Sequence, residues 1–145
     1  MKKPNDKSSA SHEPGKLLTQ GYFSIALFMT LGLALEGMIG LKSPAYLGDP
    51  LRRELFTLAH THGTLFGLLL VAAGLTLRAR DLTMPRSALM ALRLGALLMP
   101  AAFFTAGISH PEGDPGLAIW LAPAGGVMVI YGVIAMAFQV KGKRD

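Results

Sequence analysis

Four ionisable residues that could act as ligands interrupt or border the apolar stretches of this chain: Glu36, His60, His62 and His110. Arg93 also lies inside a stretch, but its long side chain can reach the nearby boundary, so it is assigned no function. An ionisable side chain at mid-bilayer costs roughly 2.5–3.5 kcal/mol on insertion scales unless it has a partner, so such residues are functional candidates. Imidazole and carboxylate without thiolate suit copper, zinc, iron or manganese. Two imidazoles on different helices also suit the axial positions of a haem, which would be non-covalent because the chain has no cysteine. We therefore take all four residues as candidate metal ligands, and the three histidines as candidate cofactor ligands.

The candidate ligands lie at similar depths. Glu36 comes five residues before Leu41, where the first apolar stretch ends, and His60 comes five residues after Leu55, where the second begins. At a rise of ~1.5 Å per residue both are roughly 8 Å from the same boundary, and His62 is about 3 Å deeper. His110 closes the third stretch on that side. The spacing predicts a site at one face of the membrane.

Helical geometry indicates which helix each histidine faces. Small residues and candidate ligands share stripes on two helices: Gly32, Glu36 and Gly40 on the first, and His60, Gly63, Gly67, Val71 and Gly74 on the second. Residues two apart are about 200° apart on a helix, so His60 and His62 cannot both ligate one ion. We expect one of them to meet Glu36, and the other to meet His110. The alternative is that both are neutral and donate hydrogen bonds to backbone carbonyls or to Glu36.

Known motifs add little. The run Ala59-His60-Thr61-His62-Gly63 resembles, over these few residues, a ligand-bearing helix of haem–copper oxidase catalytic subunits, where a histidine precedes a long apolar stretch. The adjacent His-His pair of that family is absent. The sequence contains no nucleophile elbow, P-loop or dinucleotide glycine fingerprint, and no acid–base pair with a defined substrate pocket. Catalytic residues are therefore not assigned.

Composition predicts the elements that position these residues. Hydrophobic residues make up 51% of the 145 residues and charged residues 16%, which is typical of a membrane protein. Four apolar spans are expected at about 17–41, 50–77, 86–109 and 115–140, each long enough to cross a bilayer. Gly-Asp-Pro precedes the second and the fourth, and predicts an N-cap at Asp49 with Pro50 as the first helical residue and a similar start at Asp114 and Pro115. Residues 1–16 are expected to form a disordered cytoplasmic tail, and 141–145 a basic one. The predicted fold is an all-α integral membrane protein, a four-transmembrane-helix up-down bundle over 17–140.

The basic residues predict the orientation. Ten Lys and Arg lie in the N-terminal tail, the second link and the C-terminus, whereas the first and third links together hold three. By the positive-inside rule both termini are cytoplasmic, so the candidate ligands lie in the outward-facing half. The basic residues are dispersed over membrane-flanking segments without an aromatic platform, which argues against nucleic acid as a partner.

These observations predict a small integral membrane protein with an outward-side histidine and carboxylate site for a metal ion or haem. It would serve electron transfer or be a subunit of a respiratory-type complex. One alternative is a cofactor-free subunit for proton or solute transport that uses Glu36 and the two histidines. Another is an accessory or assembly subunit of a larger complex. The expected partners are the bilayer and other membrane subunits or further copies of the chain. The absence of cysteine and the short loops are typical of a prokaryotic plasma (inner) membrane protein.

Overall fold

The computed structural model describes residues 6–111 and 113–142, and within these ranges it contains helices and no strand. The helices are α1 (Asp6–Gly40), α2 (Pro44–Leu47), α3 (Pro50–Ala79), α4 (Arg86–Ile108) and α5 (Leu121–Gly142). A 3-10 turn over Leu117–Trp120 leads directly into α5.

Four helical segments are long and apolar enough to cross a membrane: Glu13–Gly40, Pro50–Ala79, Arg86–Ile108 and Leu117–Gly142. Large apolar side chains remain exposed along them, such as Phe23 at 73%, Leu33 at 74% and Phe138 at 68%. Contiguous apolar surface of this kind is rare on soluble monomers and indicates a lipid environment. The prediction of an all-helical protein with four helices long and apolar enough to span a membrane is confirmed for the described residues.

The first helix begins earlier than the sequence predicted. The structure places Asp6–Lys16 in α1, whereas these residues were expected to belong to a disordered tail. Once the apolar span has formed, each added residue propagates the helix at little cost. Leu17 is fully buried and Leu18 faces Gly74, so α3 also supports the helix at this point. Residues 1–5 and 143–145 of the expected tails lie outside the described residues.

The two Gly-Asp-Pro sequences act differently. Asp49 is the N-cap of α3, with its carboxylate accepting the Arg52 N–H at 2.9 Å and Pro50 in the first turn, as predicted. Asp114 instead accepts the N–H of Gly116 at 2.8 Å within the loop. Gly116 has φ +71°, in the left-handed region, so helical structure starts at Leu117 and not at Pro115. Helical structure thus starts two residues after the predicted start of the fourth span at about 115.

The spans pack as a row. α1 packs on α3, α3 on α4 and α4 on α5, while α1 and α4 meet only over a short stretch. Half of the apolar span of α4 is buried, against 17% for α1 and 22% for α5, so α4 is the most buried helix. Glycines permit the close contacts, Gly21 with Gly67 between α1 and α3, and Gly95 with Gly125 between α4 and α5.

The core is divided into two apolar clusters. The first lies towards the start of α4 and the end of α3: Leu17, Leu70, Ala73, Leu77, Leu89, Leu92, Ala96 and Val129. The second lies towards the start of α3 and the end of α4: Phe28, Leu55, Ala59, Ala102, Phe103, Ala106 and Ala122. The second cluster surrounds the turns of α3 that carry His60 and His62. Side chains of α1 and of α4 therefore pack against these turns of α3.

Candidate functional site

His60 lies at the contact between α3 and α1. Its Nδ1 is 2.7 Å from the backbone oxygen of Phe28 on α1. A carbonyl oxygen can only accept, so Nδ1 carries the proton and, in the neutral ring, Nε2 keeps the lone pair. Metal-bound histidines typically donate their second ring N–H in this way, which fixes the tautomer and the ring orientation.

A glycine makes this position possible. A Cβ placed on Gly32 would overlap the His60 ring, so the ring occupies space that a larger residue on α1 would fill. Of the predicted stripe on the first span, Gly32 faces His60, whereas a Cβ placed on Gly40 would meet nothing within 4 Å among the described residues. The hydrogen bond to Phe28 and the gap at Gly32 together hold the imidazole between the two helices.

His60 and Glu36 line one pocket, together with Tyr46, Thr57 and apolar residues of α1. Its volume is about 250 Å³. Pockets for drug-sized ligands occupy roughly 300–1,000 Å³, so within a single chain this one suits an ion or a few water molecules better than a haem. Glu36 is exposed, so the pocket opens at the surface of α1. The sequence-based expectation that Glu36 and one histidine meet across the first two spans is consistent with this arrangement.

Tyr46 was missed as a pocket residue. A tyrosine near a membrane boundary is usually an interfacial anchor, but α2 places Tyr46 against the pocket with only 4% of its surface exposed. The Ser43-Pro44 pair was the available indication, because proline favours the first turn of a helix.

His62 lies on a different face of α3. Its Nδ1 donates to the carbonyl of Leu58 one turn earlier, at 2.9 Å. Its ring packs 5.3 Å from the ring of Phe103 on α4 and 5.7 Å from that of Phe66. The angular separation predicted for His60 and His62 is thus observed, and only His60 lines the pocket with Glu36.

His110 contacts the start of α3. Its side chain is 4% exposed, Nδ1 donates to the Pro111 carbonyl at 2.9 Å, and Nε2 lies 3.3 Å from Oδ2 of Asp49. Asp49 precedes His62 by thirteen residues, which is about 20 Å of helical rise. The structure therefore pairs His110 with Asp49, and does not bring it to His62 as the sequence-based pairing expected.

The four candidate ligands thus fall in three places. Among residues 6–111 and 113–142 no group of three or more His, Cys, Asp or Glu side chains is arranged to hold a metal ion. Glu36 and His60 are the candidate pair that shares a pocket. A four-coordinate metal on this pair would need two ligands from water or from another chain.

Replacing Asp49 by alanine is expected to lower the free energy of unfolding by about 1 kcal/mol, the usual cost of losing an N-cap. The change also removes the contact between His110 and the start of α3. Thermal unfolding in detergent measures the effect. Asp114→Ala is the matched control, because Asp114 bonds only within the loop among the described residues. If Asp114→Ala lowered the free energy of unfolding as much as Asp49→Ala does, the capping role of Asp49 would be contradicted.

Comparison of the chain with protein-family models, with curated proteins and with solved structures finds no match. The chemistry of the pocket is therefore the basis for assigning a function.

Proposed function

We propose that this protein is an up-down four-helix subunit of a prokaryotic plasma-membrane complex that binds a transition metal ion through His60 and Glu36 and serves electron transfer. The observation that carries the proposal is the His60 ring, whose Nδ1 proton is held by the Phe28 carbonyl while the ring lines a pocket with a carboxylate. The other candidate ligands, His62 and His110, take no part in this pocket.

The membrane topology has two supports. Gly74, late in α3, faces Leu18, early in α1, whereas His60, early in α3, faces Gly32, late in α1. The two helices therefore run in opposite directions, as an up-down arrangement requires. The excess of Lys and Arg in the tails and the second link then favours cytoplasmic termini. In this orientation the pocket lies in the outward-facing half of the bilayer.

The donor set supports a metal ion. Neutral imidazole and carboxylate are ligands for copper, zinc and iron, of which copper and iron also carry electrons. Two donors from this chain leave open coordination positions, which a partner subunit or a further copy would complete. The surface beside the pocket is apolar and exposed, with Met29 at 57% and Leu33 at 74%, so a second membrane protein has room to pack there. A haem ligated by His60 would require such a partner as well, because the pocket alone is too small.

The test is metal analysis with visible spectra of oxidised and reduced protein purified in mild detergent. Wild type should contain near-stoichiometric metal, His60→Ala should lose it, and Glu36→Gln should lower the occupancy. His62→Ala is the matched control, because His62 makes the same bond to a carbonyl but lines no pocket with Glu36. A folded wild type that stays metal-free after metals are supplied during expression would overturn the proposal. A loss of metal in His62→Ala as large as in His60→Ala would overturn it as well.

Proton transfer is the second candidate function. Glu36, His60 and Tyr46, three groups able to exchange protons, line one small pocket, and no third metal ligand joins them among the described residues. Proteoliposomes that enclose a pH-sensitive dye separate the two functions. A metal-free protein whose proton flux is lost in Glu36→Gln would favour transport.

A further inference from the structure

A second feature lies between α1 and α4, away from the histidines. Gln20 and Arg93 form a reciprocal pair in which the guanidinium Nε donates to Oε1 of Gln20, and the Gln20 amide donates to the Arg93 carbonyl, each at 2.8 Å. Gln20 thus uses both ends of its amide to fix the arginine. In the part of the chain that the structure describes, the terminal nitrogens of Arg93 have no hydrogen-bond partner and no carboxylate pairs with it.

Arg93 lies inside a membrane span. It is seven residues from Arg86 at the start of α4, so about 10 Å from that end by helical rise. An arginine at such a depth normally finds an anionic or carbonyl partner, because an uncompensated cation in hydrocarbon is costly. Gln20 is neutral, so the charge of Arg93 is not balanced within the described residues.

The pair stands at one end of a groove of about 480 Å³. Phe28 and Ala96, 5% and 2% exposed, belong to its floor. Exposed side chains form its rim: Phe23, Leu27, Met90, Leu94 and Leu97. The groove therefore faces the surroundings of the helices and is lined mainly by apolar atoms.

The groove has the polarity of a lipid. Its polar residues Gln20, Ser24 and Arg93 lie in the half nearer Arg86, beside Phe23 and Met90, whereas the half towards the middle of the spans has an apolar lining that includes Leu27 and Leu97. A phospholipid in the leaflet at the Arg86 end would place its phosphate near Arg93 and an acyl chain along the apolar part. In the proposed orientation this is the cytoplasmic leaflet, where basic pockets between transmembrane helices bind anionic headgroups.

We propose that the groove between α1 and α4 is a binding site for an anionic phospholipid, with its phosphate paired to the terminal nitrogens of Arg93 and one acyl chain lying between the helices. Guanidinium suits phosphate because its N–H groups form parallel charge-assisted hydrogen bonds. Gln20 orients the guanidinium and leaves those N–H groups directed to the ligand. Among the described residues the groove shares no polar side chain with the histidine pocket; Phe28 contributes its side chain to the groove floor and its carbonyl to the bond with His60.

Binding can be measured with the full chain in detergent, by native mass spectrometry and by thermal unfolding during titration with phosphatidylglycerol or phosphatidylcholine. Wild type should bind phosphatidylglycerol roughly tenfold more tightly than phosphatidylcholine, because both lipids carry the phosphate but the choline cation cancels the net charge of phosphatidylcholine and is repelled by Arg93. Arg93→Gln should remove this preference. Arg86→Gln, which removes the same charge from the same helix outside the groove, should retain it. Arg93→Lys should weaken binding while keeping the preference for the anionic lipid.

Three outcomes would overturn the proposal. Equal binding of the two lipids by wild type is one, and it needs no variant to fold. If Arg86→Gln and Arg93→Gln lost the preference for phosphatidylglycerol equally, the lipid would be attracted to basic residues in general and not to this groove. Stabilisation by inorganic phosphate to the same extent as by phosphatidylglycerol would show an anion site without a lipid.

Discussion

Replacing Gly32 by alanine should empty the proposed metal site and lower stability. The new Cβ would lie 2.6 Å from Nδ1 and 2.9 Å from Nε2 of His60, closer than non-bonded atoms approach. The ring has to move, and its hydrogen bond to the Phe28 carbonyl is lost. We expect a fall of about 1–3 kcal/mol in the free energy of unfolding, as for other overpacked sites. Metal analysis and thermal unfolding measure the two effects.

Gly37→Ala is the control for this experiment. Gly37 lies on the same helix, and a Cβ there would meet nothing within 4 Å. This variant should keep its metal and its stability, because a glycine within a helix is if anything less favourable than alanine. Nitrogen NMR of labelled imidazole adds a direct readout, since the protonated Nδ1 of His60 should change its signal in Gly32→Ala alone. A Gly32→Ala protein with full metal occupancy would contradict the role given to the His60 position.

Replacing Gly125 by alanine should separate α4 from α5. A Cβ at this position would lie 2.8 Å from the backbone nitrogen of Met99 and 3.2 Å from the carbonyl oxygen of Gly95. Backbone atoms cannot turn away as a side chain can, so the helices have to move apart along their contact. We expect a loss of about 1–3 kcal/mol in the free energy of unfolding. Thermal unfolding in one detergent is the measurement.

The neighbouring glycine provides the comparison. A Cβ at Gly126 would come no closer than 3.8 Å to the Met99 sulfur, which is ordinary contact. Gly126→Ala should leave stability unchanged or raise it by up to about 1 kcal/mol, the difference in helix propensity. Similar unfolding temperatures for the two variants would mean that the glycines do not set the distance between α4 and α5.

The features predicted correctly from the sequence depend on local periodicity. Apolar runs of sufficient length predict spans, and a repeat of 3.6 residues places Gly32 and Glu36 on one stripe and separates His60 from His62. The cap at Asp49 is likewise a property of a few adjacent residues. Each of these features can be predicted without knowing which helices are neighbours in the fold.

The features that were missed depend on how the helices align. Gln20 and Arg93 are 73 residues apart, and their hydrogen bonds form only because α1 and α4 approach at that level. The contact of His110 with Asp49 depends in the same way on the end of α4 reaching the start of α3. The start of the fourth span was misjudged for a local reason, because Gly-Asp-Pro is compatible both with an N-cap and with a loop turn.

The row of helices places α1 at one end of the bundle. Its principal neighbour is α3, although Leu17 and Phe28 of α1 belong to the two core clusters and Gln20 of α1 bonds to Arg93 of α4. α1 carries Glu36 and the Phe28 carbonyl, whereas His60 stays with α3. The two donors of the pocket therefore belong to different helices, and their separation is set by how α1 packs on α3. A shift of α1 along α3 would change the distance between imidazole and carboxylate without altering either helix.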